Sequence, residues 1–267
     1  MTLLNDYLLY LAAGAVAGLL GGMLGIGGGT IIVPVLAFIF HAHGYAPEVL
    51  THMAVGTSLA TIIFTSISSV RAHHQRGAVD WNAVQQIAPG LVVGSLLGAQ
   101  IAHALPARTL QLVIGAFAWT MAVQMLSGWQ AKAHRQLPGN ASLFGAGGII
   151  GTASAIFGIG GGSLMVPYLS YHNVVMQRAV ATASACGLPI AVAGAVGFMI
   201  AGWHESRLPP QSLGFVYLPA LLGIALSSMV FARIGAHFAH RLPAATLKKV
   251  FAGLLLLVGL QFMLGLK

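Results

Sequence analysis

Charge is what this chain has least of. Four acidic and twelve basic residues are all the formal charge that 267 positions carry, 6% of the chain, where a soluble globular domain has about a quarter. Such a chain cannot cover a water-facing surface. With 57% hydrophobic residues and a mean hydropathy of +0.87, it reads as a polytopic membrane protein. Cysteine is nearly missing too. The single Cys186 excludes an intramolecular disulfide and a cysteine-rich metal site. His41, His43 and His52 have a loose metal-like spacing, but no carboxylate or thiolate pattern completes it. No Ser–His–acid set and no histidine-rich box lies in the apolar stretches, so no catalytic residue, cofactor or metal is expected. The opening MTLLNDYLLYLAAG lacks the basic region of a signal peptide and is expected to be a retained first helix. The net charge of +8 comes from basic residues in short connections, which points to membrane orientation and away from nucleic acid.

Glycine, by contrast, is abundant, and part of it is ordered. GIGGG occurs at Gly25–Gly29 and again at Gly158–Gly162; each copy is followed by a hydroxyl residue (Thr30, Ser163) and then by a proline (Pro34, Pro167). The surrounding blocks recur in the same order. GGMLGIGGGTIIVPVL matches SAIFGIGGGSLMVPYL, MAVGTSLA (53–60) matches RAVATASA (178–185), and GAQIAHALPARTL (98–110) matches GAHFAHRLPAATL (235–247). The chain is therefore a tandem duplication with a unit of roughly 130 residues. The expected division is a first membrane repeat over 1–128, a cytoplasmic linker over 129–139 and a second repeat over 140–267.

Each unit has five apolar segments, near 7–25, 30–42, 47–71, 81–104 and 107–128, then 140–158, 163–173, 176–203, 212–240 and 244–266. The second segment of each unit falls short of the roughly 20 residues a spanning helix needs. Basic residues decide how to count it. If the first two segments made one span, Lys and Arg would divide evenly between the two sides. If they form a hairpin, with the N-terminus outside, nine face the cytoplasm (Arg71, Arg76, Lys132, Arg135, Arg178, Arg233, Arg241, Lys248, Lys249) and three lie outside (Arg108, Arg207, Lys267). That asymmetry is the positive-inside pattern. An odd number of segments also turns the second unit over. The expected fold is thus an all-α integral membrane protein of two inverted-topology repeats. Each has three full spans plus a broken, short helix pair around its GIGGG loop, and both termini lie outside. Inverted repeats of this kind build secondary transporters, with the site at the repeat interface near the midplane.

The glycine loop suits such a site. Backbone that is neither helix nor sheet survives at membrane depth only where protein or water surrounds it. Helix N-termini expose unpaired N–H groups and a positive dipole end, so they attract anions. Thr30 and Ser163 read as N-caps of the helices that follow. Pro34 and Pro167 kink those helices or free a carbonyl in their second turn. Small residues that merely pack membrane helices are the plainer alternative for glycine, but the matched hydroxyl and proline favour a site. A phosphate loop is excluded, because no Walker lysine follows and no strand precedes. The expected substrate-binding residues are Gly25, Gly27, Gly28, Gly29 and Thr30, with Gly158, Gly160, Gly161, Gly162 and Ser163 opposite. Thr57 and Thr182, which match across the repeat, are expected to offer hydroxyl donors nearby.

The doubled GGMLGIGGGTIIVP/SAIFGIGGGSLMVP, with AVGTSLA and G-A-x-x-A-x-x-L-P in each half, resembles the TauE/SafE sulfite exporter family over nearly the whole chain. The resemblance implies transport of a small anion, such as sulfite, thiosulfate, an organosulfonate or a related carboxylate, across the cytoplasmic (inner) membrane, by export in that family's manner. One departure stands out: Ala181 and Ala183 replace Gly56 and Ser58 in the second half. The alternatives are a passive anion channel on the same scaffold and a membrane assembly factor that carries nothing.

Other residues read more plainly. Glu48 and His52, four apart on one helix face, could couple transport to protons or another ion, but their counterparts are Asn173 and Gln177, and a solvated surface pair is the expectation. Arg178 serves either topology or anion attraction. Arg71, His73, His74 and Arg76 make a basic loop suited to anionic lipid. Cys186 reads as a small buried apolar residue, and Trp81, Trp129 and Trp203 as interfacial aromatics.

Overall fold

The computed structural model describes residues 3–24, 29–127, 137–239 and 244–264. The first half gives α1 (Leu3–Leu24), α2 (Gly29–Ala42), α3 (Pro47–Gln75), α4 (Trp81–Ala104) and α5 (Ala107–Ser127). The second gives α6 (Asn140–Phe157), α7 (Gly162–Tyr171), α8 (Met176–Ala201), the hairpin β1 (Ser212–Leu213) and β2 (Val216–Tyr217), α9 (Leu218–Ala239) and α10 (Ala244–Leu264). Apolar residues that must satisfy their backbone within lipid have only the helix open to them, and each apolar segment of the sequence is one helix here. Among the described residues, five helices, α3, α4, α5, α6 and α8, are long and apolar enough to cross a membrane, whereas α2 with 14 residues and α7 with 10 are not.

The segment that starts at 212 differs from expectation. Its first residues form the hairpin, and α9 begins only at Leu218. Pro209 and Pro210 block a helix from running through, and Gly214 sits at φ 54° in the two-residue turn.

Start signals are local. Pro47 occupies the first turn of α3, where its missing N–H costs nothing. Asp80 caps α4 by accepting from the Ala83 amide at 3.1 Å. The pairing of helices is not local. α1 packs along α9 and α4 along α6, so the first helix of each half lies against the fourth helix of the other. α3 packs on α8 and α5 on α10, each on its own counterpart. Exchanging the halves leaves this set of pairs unchanged.

Small residues allow these contacts. Gly90, Gly94 and Gly98 of α4 lie on the backbone of α6, and a Cβ on Gly94 would fall on the Gly148 carbonyl. Gly147 and Gly151 answer from α6, where added Cβ atoms would stand 2.6 and 2.5 Å from the Ile87 and Leu91 carbonyls. The approach is close enough for Thr152 to donate to the Gly94 carbonyl at 3.0 Å and Ser95 to that of Gly151 at 3.3 Å. Gly14 and Gly18 of α1 meet Ile224 and Ser228 of α9 in the same way. This is small-residue packing of membrane helices. The outer surface carries Ile149, Leu226 and Leu257, each about two-thirds exposed or more, a pattern that a lipid-facing surface explains and a water-facing one does not. The centre, from Val49 to Ile62 of α3 and along much of α8, is buried.

Candidate functional site

α6 ends at Gly158, whose φ of 65° is left-handed. Its amide returns to the Ala155 carbonyl at 3.3 Å and the Ile159 amide to that of Ser154 at 3.0 Å, a glycine C-terminal cap. The turn presents the Gly158 carbonyl to α3, where the Ser58 hydroxyl lies 2.9 Å away. The same hydroxyl is 3.4 Å from the carbonyl of Gly29, the first residue of α2. A Cβ on Gly29 would stand 2.8 Å from the Gly158 oxygen and 3.2 Å from the Ile159 Cα, and one on Gly158 would stand 2.6 Å from Val33. Gly29, the described end of the first GIGGG stretch, therefore meets the beginning of the second at Gly158, with Ser58 between them. Gly25, Gly27 and Gly28 lie outside the described residues. Gly160 abuts Ile62 of α3, and Gly161 abuts the α8 backbone at Ala183 and Gly187. Ser58 was hard to select from sequence, because its match in the second half is Ala183 and repeat matching discounts it.

Thr30 and Ser163 are not N-caps. α2 already includes Gly29 and α7 already includes Gly162; the cap of α7 is Gly161, without a side-chain bond. Each hydroxyl residue is thus inside the first turn, because glycine enters the helix one residue early. Both hydroxyl oxygens are buried with no partner among the described residues. The prolines add a second open group. Pro34 and Pro167 have no N–H to return to the residue four earlier, and those residues are Thr30 and Ser163. Each half therefore places at its short helix start a hydroxyl without a partner among the described residues and a carbonyl without its helical donor. A buried hydroxyl without a partner costs about 1–3 kcal/mol unless something binds it.

Thr57 and Thr182 are completely buried and make matching bonds. Thr57 accepts from the amide of Tyr217, just before α9, and Thr182 accepts from that of Asp80, just before α4, both at 3.0 Å. Each hydroxyl thereby anchors the entry of the other half's fourth helix and keeps its own proton to donate. Arg178 pairs with Asp80 at 3.6 Å and is half exposed, at the surface end of α8. Cys186 is buried. His43 bonds Asp6 at 2.9 Å, away from His52.

Glu48 and His52 are not a solvated pair. Glu48 is exposed, but His52 is 4% exposed, covered by Phe215 of the 202–217 connection at a ring distance of 5.2 Å. Its Nε2 donates to the Ala102 carbonyl at 2.9 Å, and its Nδ1 is buried without a partner. The α3 periodicity placed these two on one face; the long connection that buries the second comes from the other half. His52 forms part of the wall of a cleft of about 610 Å³ with Glu48, His103, Arg108, Glu205 and Arg207. There Arg207 grips Glu205 with two bonds of 2.8 Å and holds its carboxyl down at about 2. Arg108 donates to the last carbonyls of α10, Phe262 at 2.9 Å and Met263 at 2.6 Å.

The sequence model of the family described as "Sulfite exporter TauE/SafE" matches residues 10–262. A probable membrane transporter protein of Haemophilus influenzae is 34% identical over 96% of this chain and 98% of its own length. Probable membrane transporter proteins of Methanocaldococcus jannaschii and Bacillus subtilis are 28% and 27% identical, each over 96% of this chain and at least 95% of their own length. No solved structure gives a significant match. A duplicated, glycine-broken helical membrane protein that matches this family from its first helix to its last belongs to it: the chain is a member of the TauE/SafE sulfite exporter family.

Proposed function

We propose that this membrane transporter is a secondary carrier of small anions, with sulfite, thiosulfate, organosulfonates and related carboxylates as its substrate class, and that it exports them across the cytoplasmic membrane. The observation that carries the reading is the junction at Ser58. There the start of α2 meets the turn that ends α6 and leads into α7, and each short helix carries in its first turn a buried hydroxyl without a partner among the described residues, Thr30 or Ser163. Helix starts and neutral hydroxyls bind anions without the desolvation cost of a buried lysine. The exchange-symmetric helix pairs fit a carrier of two repeats; the positive-inside pattern is what turns one repeat over and sets both termini outside, and the two would rock about the junction. Close packing of Gly158 on Val33 and Val55 favours a carrier over an open channel. The scaffold acts by binding and moving, without a chemical step.

The test is flux into proteoliposomes with sulfite, thiosulfate, sulfoacetate and short carboxylates. Gly160→Val, which projects a side chain at Ile62, should abolish flux while the protein still inserts, and Thr30→Ala with Ser163→Ala should weaken it. Normal transport by both variants refutes the site. Because Cys186 is buried, cysteines introduced at the termini report their side of the membrane to an impermeant maleimide.

A further inference from the structure

We propose that His52 is the proton-binding residue of this carrier, taking up at Nδ1 one proton for each anion moved. The inference rests on the transporter reading above and adds the ion that moves with the anion. Its geometry is specific. The Ala102 carbonyl can only accept, so Nε2 carries the hydrogen and Nδ1 is left with a bare lone pair. That lone pair has no partner among the described residues, on a side chain 4% exposed in the wall of the 610 Å³ cleft. A proton delivered there from water in the cleft turns the imidazole into a cation and breaks no existing bond.

The groups around it are already committed in a way that leaves this role to His52. On α3, Glu48 stands one turn before it at the exposed mouth, placed to relay protons. From the end of α4, His103 lies 6.5 Å away, ring to ring, and is itself exposed. From α5, Arg108 is spent on α10 carbonyls and Gln111 on the Thr51 hydroxyl. From the 202–217 connection, Arg207 and Glu205 neutralise each other. The second half has no equivalent: Gln177 cannot titrate and is exposed. The α3–α4 connection there is only the short 76–80, whereas the hairpin-bearing 202–217 covers His52. Proton uptake therefore belongs to one mouth alone.

Coupling follows from distance. Ser58 lies six residues beyond His52 on α3, about 9 Å along the axis. At an effective dielectric near 20, two unit charges that far apart shift proton affinity roughly 20-fold per unit of anion charge. Linkage requires the anion to bind tighter by the same factor when His52 is charged.

Thiosulfate is the probe, since it stays fully ionised over the working range and any pH dependence then reports the protein. Proteoliposomes holding pyranine should show proton movement in step with thiosulfate flux in the wild-type chain, and accumulation driven by a pH gradient. His52→Gln, which installs the residue of the other half, should keep thiosulfate exchange but lose both. A variant that still accumulates thiosulfate and moves protons overturns the proposal, and so does wild-type flux without protons; either leaves the transporter reading standing. Wild-type liposomes that move no tested anion overturn that reading itself. If His52→Gln does not fold, 15N-histidine spectra of the wild-type protein decide. One buried, hydrogen-bonded imidazole, identified by its loss in His52→Asn or by its slow N–H exchange, should titrate at Nδ1 and hold its proton about 20-fold or more tightly in saturating thiosulfate. No response to thiosulfate by any buried histidine overturns the proposal.

Discussion

Gly158→Ala probes the meeting of the two halves most directly. Two separate costs arise there. The residue keeps φ at 65°, and a side chain in the left-handed region costs roughly 1–2 kcal/mol. The added Cβ also lands 2.6 Å from Val33 Cγ2, 3.2 Å from the Val55 Cα and 3.2 Å from Val55 Cγ1. Two of these neighbours are tips of stiff branched side chains and one is backbone, so relief requires a shift of α2 against α3. Overpacking of that kind costs about 1–3 kcal/mol. The sum is about 2–5 kcal/mol, near the top of the range for a single substitution. Gly44→Ala supplies the control. Its φ is 72° and nothing lies within 4 Å of the new Cβ, so only the backbone cost of about 1–2 kcal/mol applies. Unfolding of both variants and the wild type in detergent micelles, followed by tryptophan fluorescence, measures the difference. If Gly158→Ala loses no more stability than Gly44→Ala, α2 does not approach the end of α6 as described, and the junction argument fails with it.

Ser58→Ala should cost about 1–3 kcal/mol in the same unfolding assay, because it leaves the buried Gly158 carbonyl without its donor; an unchanged melting curve counts against the bridge. Thr57→Val and Thr182→Val remove matching acceptors from the Tyr217 and Asp80 amides, so each should destabilise by about 1–3 kcal/mol, and a silent variant in either half breaks the symmetry argument. Gly94→Val should prevent stable folding by forcing α4 off the Gly148 carbonyl, while Gly145→Ala, with nothing within 4 Å, should be silent in size-exclusion profiles. Glu205 gives a pH effect of known sign. Its folded value is depressed from 4.5 to about 2, so its ion pair contributes fully above about pH 4.5 and fades as pH falls toward 2. Glu205→Gln should remove that slope from the acid unfolding profile, and the effect should be small, since the Arg207 side chain is half exposed to water.

The amino-acid sequence by itself determined the membrane class, the ten helical segments and the doubling. Those follow from local rules: lipid gives backbone groups no partner, so the length and polarity of a stretch decide whether it is a helix, and glycine and proline mark where it breaks. The glycine loops were legible as breaks for that reason. Only the tertiary structure decided that Thr30 and Ser163 sit inside their helices with bare hydroxyls, that Ser58 joins the two loops, and that His52 is buried beneath a connection from the other half. Ser58 and Gly158 are 100 positions apart, and Thr57 and Tyr217 are 160 apart. No periodicity of 3.6 residues carries information over such separations. They are set by which small-residue faces of α1, α4, α6 and α9 fit closest, which is a property of surfaces in contact and not of any one helix.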